Sequence, residues 1–478
     1  VTTAVVVGSG PNGLAAAVHL AGNGVDVQVL EAADTIGGGT RSGELTVPGL
    51  LHDECSAIHP MGAGSPYLQT LDLERVGLTW KWPEIDCAHP LDNGDTGLLH
   101  RSVAATSAGL GADGTRWHAM FAGLAAGFDD LAADLMRPIV NVPRHPLRLA
   151  SFGPRALLPA TTTARWWRTE RARALFGGVA AHAYHRLDRP AASAVGLMIV
   201  AAGHRYGWPV AAGGSQSITA ALAALLAERG GRITTGERVH GWADLPPADL
   251  VLLDVTPSAA LDILGDRIPG RVARAYRRYR HGPAAFKVDF AVEGGIPWRD
   301  PDCGRAGTVH LGGDFAEIAR AERDVTVGRM PERPFVLVGQ QYLADPGRSK
   351  GNLHPVYAYA HVPHGYTGDA TDAIVRQIER FAPGFRDRVV ATVGRGPAQL
   401  AAANPNYVGG DIIGGANTET QVVLRPRIAL DPYSTGVPGV YLCSASTPPG
   451  AGAHGMSGYN AARSALRWLR RHRPAAIS

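Results

Sequence analysis

The first thirty-one residues constrain this chain most. Ala4 to Val7 is a short apolar run, which reads as a buried parallel strand. Gly8-Ser9-Gly10-Pro11-Asn12-Gly13 follows, then a small-residue helix from Leu14 to Gly22. Val25 to Leu30 gives a second strand, closed by Glu31. This is a βαβ unit with the G-x-G-x-x-G fingerprint in its full context. Gly8 permits the tight turn, and Gly10 lets main chain approach a pyrophosphate. Gly13 permits close helix–strand packing, and the helix N-terminus favours negative charge. Pro11 and Asn12 complete the turn. Glu31 stands where a carboxylate accepts ribose hydroxyls, with Ala32 beside it. A second G-x-G-x-x-G at Gly109–Gly114 lacks an apolar strand before it. It reads as a turn, with Asp113 or Thr115 capping the next helix. One nucleotide fold therefore implies one dinucleotide.

The whole chain of 478 residues is 45% hydrophobic and 18% charged, enough to bury a large core. Net charge is +4, and Lys81, Lys287 and Lys350 are the only lysines. The one basic run, Arg463 to Arg473, gives nucleic acid no extended stripe to bind. The cysteines Cys55, Cys87, Cys303 and Cys443 show no CxxC spacing, so zinc ribbons and disulfide frameworks are not expected. Cys55 and Cys443 read as small core residues. No apolar run reaches the ~18 residues of a spanning helix. A strand opens the sequence almost at once, so the expectation is a soluble, cytoplasmic protein. His361 and His364, beside Pro363, are not read as metal ligands.

Further along, Thr79–His100 reads as antiparallel strands, and Thr115–Leu135 and Thr163–His204 as mostly helical. A Gly-led helix is expected over Gly213–Leu226, and a strand over Leu250–Leu253. A strand-rich block runs from Ala285 to His361, and helix returns at Ala370–Phe381. The last section, Gly439 to Ala462, is an apolar strand, a Gly-rich turn and a helix N-terminus. This is a second place for close main-chain approach and a favourable dipole.

Two segments carry a family resemblance. Gly37-Gly38-Gly39-Thr40-Arg41, directly after the second strand, resembles the Gly-Gly-x-x-Arg segment of amine oxidase and carotenoid desaturase flavoproteins. Gly439–Ala462 is similar to the carboxy-terminal flavin motif of phytoene dehydrogenase-related oxidoreductases, with Cys443-Ser444-Ala445 where many relatives have Gly-Ala-Gly. Gly207–Val239, Asp53–Pro60 and Phe286–Trp298 also resemble that subgroup, so the likeness runs in order along the chain. It implies FAD as cofactor. The Gly-rich loop and Arg41 would approach its pyrophosphate and ribityl chain, and the Val239 backbone would hold the adenine. Ser446 would lie near the pyrophosphate or ribityl end, and the N–H groups of Gly455 and Met456 at the isoalloxazine edge.

The expected fold is α/β, a Rossmann-type FAD domain interleaved with a mixed-sheet substrate domain and a helical cap. FAD-binding parts are expected at 1–75, 207–282 and 426–478. Substrate-domain strands are expected at 76–110 and 283–425, and the cap at 111–206. The resemblance implies hydride transfer to flavin N5 that introduces C=C into an apolar or polyene-like substrate. Oxygen or a quinone would be the electron acceptor. The alternatives are a flavin amine oxidase acting on C–N, a redox-neutral flavin isomerase, and a flavin-bound lipid carrier without turnover. Catalytic candidates are Lys287, His59 and His454. Lys287 either holds a water against the flavin, as in related amine oxidases, or faces solvent or pairs with Asp289. Either histidine could be a base or tune the flavin, or be structural. Trp166-Trp167 among Arg165, Arg168, Arg171 and Arg173 reads as a cap helix, with a peripheral membrane contact as the alternative.

Overall fold

The computed structural model describes residues 1–138, 140, 142–418 and 420–472; Arg473, the end of the basic run, lies outside them. Two sheets organise the described residues. The first is a five-stranded parallel sheet, in the order Val440–Leu442, Leu250–Leu253, Thr3–Val7, Asp26–Leu30 and Arg232–Thr234. Its strands come from three separate stretches of chain. The helix Pro11–Ala21 packs on it between Gln216–Glu228 and Met456–His472. Its small residues, Gly13 and Ala15 to Ala17, allow that closeness. A Cβ on Gly13 would sit 2.1 Å from the Gly8 carbonyl oxygen.

The second sheet has seven strands, in the order Val389–Arg395, Ala284–Glu293, Leu353–Val362, Val336–Gly339, Ala306–Leu311, Ile85–Pro90 and Thr96–Leu99. All neighbours are antiparallel except Ala306–Leu311 with Ile85–Pro90. One face carries Phe286, Val288 and Phe290 into a core closed by Thr371–Phe381. The opposite face turns Ala285, Lys287 and Asp289, with Tyr357, Tyr359 and His361 across from them, towards the first domain. Six helices between Gly114 and Tyr206 cover one end. This is the α/β architecture expected, with a Rossmann-type sheet and a mixed second sheet.

Several local expectations change. The Thr115–Leu135 helix is two, Gly114–Ala126 and Phe128–Leu135, broken at Gly127. Asp113 does not cap the helix after it. Its carboxylate accepts instead from the Arg168 and Thr169 N–H groups and the Thr169 hydroxyl. Trp166 and Trp167 stand in the turn between Ala160–Ala164 and Glu170–Ala180, so the cap helix expected there is not formed at these two residues. Trp167 is fully buried against Trp117, Phe121 and Phe176, whereas Trp166 is exposed. Arg171 and Arg173 are spent on Asp95 and Glu170. No described helix is long and apolar enough to cross a membrane.

Candidate functional site

A cavity of about 690 Å³ joins the two sheets, within the ~300–1,000 Å³ range of ligand sites. One end begins at the first βα turn. Gly8, Gly10, Pro11 and Asn12 line it. The Gly10 and Asn12 N–H groups have no acceptor among the described residues, and the Asn12 side-chain oxygen is buried without a partner. Gly13 lies beneath the wall, its N–H bonded at 2.9 Å to Asp254 Oδ2. Glu31 is in the wall, with Ala32 next to it. Its carboxylate is already oriented by the Ser9 N–H and hydroxyl, the Ala33 N–H and Arg41.

The segment after the second strand straps this end. Gly38, Gly39, Thr40 and Arg41 line the cavity, and Gly37 ties back to Ser9 through its N–H. A Cβ on Gly38 would come within 3.0 Å of the Gly10 Cα, so two glycines bring the strap and the turn together. Arg41 is bound to the Thr35 carbonyl and to Glu31. Val239 lies in the wall, and neither its N–H nor its C=O is bonded among the described residues.

The middle of the cavity is formed by the loop Pro449–Ala453 and by Ser446, whose hydroxyl donates to the Gly414 carbonyl. Gly455 and Met456 do not line it. Gly455 packs on Ala15, and the Met456 N–H is bonded at 3.1 Å to His454 Nδ1. His454 also lies outside the wall, with Nε2–H donating to the Ala451 carbonyl. Both of its nitrogens therefore hold the loop, and burial lowers its pKa to about 4.

The far end is apolar and aromatic, with Tyr184, Trp208, Leu337, Tyr357 and Tyr359 in its wall. His59 lines the cavity, 2.8 Å from the Ser215 hydroxyl, and burial lowers it to about 4. Lys287 is buried behind this wall. It pairs with Asp289, and its Nζ lies 4.5 Å above the Tyr357 ring. Burial draws its pKa below the ordinary lysine range, against the opposing pull of Asp289. The Tyr357 hydroxyl donates to the Cys55 carbonyl, and Cys55, buried as expected, also lines the cavity. Cys443 is fully buried.

Sequence reasoning missed Asp254, Arg425 and the aromatic residues Tyr184, Trp208, Tyr357 and Tyr359. Asp254 follows the apolar strand Leu250–Leu253 directly, which was a usable signal; burial raises it to about 7. Arg425 is held by Asn417 and the Ala445 carbonyl under the Gly-rich loop, and nothing local marks it.

The sequence profile of the NAD(P)-binding Rossmann-like domain matches residues 6–71. Pyridine nucleotide-disulfide oxidoreductase domain-containing protein 2 of Mus musculus is 24% identical over 313 residues, covering 56% of this chain and 52% of that protein. Its Rattus norvegicus counterpart is 24% identical over 258 residues, covering 49% and 43%. The chain spans about half the length of these curated relatives. An oxidoreductase from Methanosarcina mazei superposes with a TM-score of 0.63 at 16% identity, over 98% of this chain and all of that one. A redesigned putrescine oxidase gives 0.63 at 17% identity, over 98% and 99%. Cyclohexylamine oxidase from Brevibacterium oxydans gives 0.56 at 15%, over 98% and 99%. The chain thus has a Rossmann-type dinucleotide domain within the fold that these oxidoreductases share.

Proposed function

We propose that this chain is an FAD-dependent dehydrogenase of the phytoene dehydrogenase-related type, introducing C=C into an apolar or polyene-like substrate. One observation carries the reading: a single cavity runs from the glycine turn, past the Pro449–Ala453 loop, into an aromatic chamber. The residues present fit FAD. The unpartnered Gly10 and Asn12 N–H groups suit a pyrophosphate, and Glu31 suits a ribose. The free backbone of Val239 suits an adenine edge. The apposed glycines Gly10 and Gly38 leave the close approach open. Ser446 and the Pro449–Ala453 loop would flank the flavin half. Bound there, FAD supplies a two-electron acceptor for hydride. The chain supplies orientation and a dry wall.

The fold shared with putrescine and cyclohexylamine oxidases favours a second reading, oxidation of a C–N bond. The chamber argues against a cationic amine. The carboxylates of the described wall, Glu31, Glu237 and Asp254, all stand at the dinucleotide end. Asp289 is behind the wall and already paired with Lys287. An ammonium in the chamber would therefore lack a counter-charge.

Photoreduction without oxygen, followed by air and then a quinone, tests the proposal. Flavin bands that return slowly in air and fast with quinone are expected. No flavin absorbance after FAD is supplied would sink it. Fast reoxidation by air, with turnover of cyclohexylamine that Lys287→Met abolishes, would establish the amine reading instead.

A further inference from the structure

A polar line between the cap and the seven-stranded sheet has no part in cofactor binding. His182, in the turn Ala181–Ala183, stands in the cavity wall. Its Nε2 lies 3.1 Å from Nε2 of His310, on strand Ala306–Leu311. His310 Nδ1 lies 3.5 Å from Cys87 Sγ, on the adjoining strand. The Cys87 thiol in turn lies 3.7 Å from the Ala88 carbonyl. His310 and Cys87 are fully buried. Gly178 makes room for them: a Cβ there would be 2.7 Å from His310 Nδ1.

One arrangement satisfies all three contacts at once. The Cys87 S–H donates to the Ala88 carbonyl, which can only accept, and the sulfur accepts from His310 Nδ1–H; an S–H turned to His310 Nδ1 instead would give His182 the opposite tautomer. A neutral imidazole carries one N–H, so His310 Nε2 is a lone pair and His182 Nε2–H donates to it. His182 Nδ1 is then also a lone pair. It has no hydrogen-bond partner among the described residues and is not among the buried unpartnered atoms. Burial lowers both His182, to about 3, and His310, so both are neutral near pH 7; negative charge developing on the carbon beside Nδ1 as the C–H bond breaks raises His182 for the transfer.

We infer that His182 Nδ1 is the base that takes a proton from a substrate C–H in the aromatic chamber, with His310 as its positioning residue. The inference rests on the dehydrogenase reading. The substrate loses two hydrogens from adjacent carbons. One leaves as a proton to Nδ1, and its C–H electron pair becomes the second bond of C=C. The other leaves as hydride to the proposed flavin, so the substrate is oxidised by two electrons and the flavin reduced by two. The imidazolium formed keeps its Nε2–H on His310, in a bond now charge-assisted. A purely structural histidine pair would also fill this layer, but it gives no reason for an accessible, unbonded Nδ1 on a residue of the cavity wall.

Proton removal can be read without electron transfer. Nitrocyclohexane, a neutral apolar carbon acid, is incubated with the protein in D2O, and loss of its α-hydrogen signal is followed by proton NMR. The wild-type protein should accelerate exchange. His182→Gln should lose about 10²-fold or more, the scale of general-base catalysis. His310→Gln should lose part of the rate and change the His182 tautomer seen in histidine-labelled ¹⁵N spectra. The wild-type spectra test the idea without any substitution: a protonated Nε2 and bare Nδ1 on His182 are expected. The reverse tautomer overturns the inference, as does absent exchange in wild type or unchanged exchange in folded His182→Gln. Exchange that persists in protein unable to bind FAD would sink the dehydrogenase reading alone. Flavin reduction by an apolar substrate without exchange would sink the base alone.

Discussion

At its dinucleotide end the cavity is walled by main chain, from Gly8 to Asn12 and from Gly38 to Arg41. At its other end it is walled by side chains that arrive from the cap, from two strands of the second sheet and from the segment around Trp208. The first end is built around residues 8–41, near neighbours in sequence, with Val239 and Asp254 joining from a distant stretch, and its glycines answer steric demands. The second is held in place by buried charge: Arg348 bonds Asp53 at 2.6 Å and the Ala211 carbonyl at 2.7 Å, and Lys287 pairs with Asp289. A site built of backbone tolerates side-chain change and fails when space is lost. A site built of side chains fails when a partner is removed.

Acid should separate the two ends most strongly. Burial lowers His59 and His89 to about 4 and His182 to about 3, against an ordinary value of 6.5. The unfolded chain takes up these protons first, so stability is lost as pH falls from 6.5 towards 4. Asp254, at the dinucleotide end, runs the other way. Raised to about 7 from 3.8, it gains stability on acidification and loses it as pH rises through 7. His19 and His454 are lowered to about 4 as well, and Asp86 in the second sheet is raised to about 7, so the separation is local: between pH 7 and pH 5, hydrogen exchange should show amides around His59 and His182 losing protection while those of Leu250–Leu253 gain it. Equal change at both places would break the contrast.

Next in size is Arg348→Met, which leaves Asp53 buried and uncompensated. We expect a loss of about 3–5 kcal/mol in urea unfolding. A loss below about 1 kcal/mol would mean that buried charge does not hold the chamber. Gly13→Ala should cost about 1–3 kcal/mol through overpacking against the Gly8 carbonyl. It should also strip flavin absorbance from the purified protein, whereas Arg348→Met should leave the flavin content of the folded fraction unchanged. Tyr357→Phe frees the Cys55 carbonyl and should cost about 0.5–1.5 kcal/mol. Its absorbance spectrum, not its flavin content, should shift. Trp166→Ser should stay within about 0.5 kcal/mol by thermal melting, because Trp166 is exposed. A larger loss would show the cap to be more tightly integrated than its packing implies.

The dinucleotide end was legible because its determinants are contiguous. Strand, turn, helix, strand and acid follow one another within thirty-one residues. The chamber was not, because His182, Tyr184, Trp208 and Tyr357 meet only once two sheets and a cap have formed. Val389–Arg395 was not read as a strand although it alternates, since its outward residues are exposed and the short helix Phe385–Arg388 separates it from the turn signal Pro383-Gly384. Gly455 and Met456 were placed at the flavin by resemblance. Here His454 captures the Met456 N–H, a local competition that spacing cannot reveal. The proximity of Lys287 and Asp289 was readable, because residues two apart on a strand share a face.

The order of strands in the parallel sheet bears on how the protein is made. Val440–Leu442 pairs with Leu250–Leu253, which pairs with Thr3–Val7. A ribosome delivers these three strands far apart in time. Until the last one emerges, the strand beside it presents an open edge of unpaired amides and carbonyls. The nascent chain thus carries an incomplete nucleotide fold while residues 254–439 are made, exposed to chaperones and to aggregation alike.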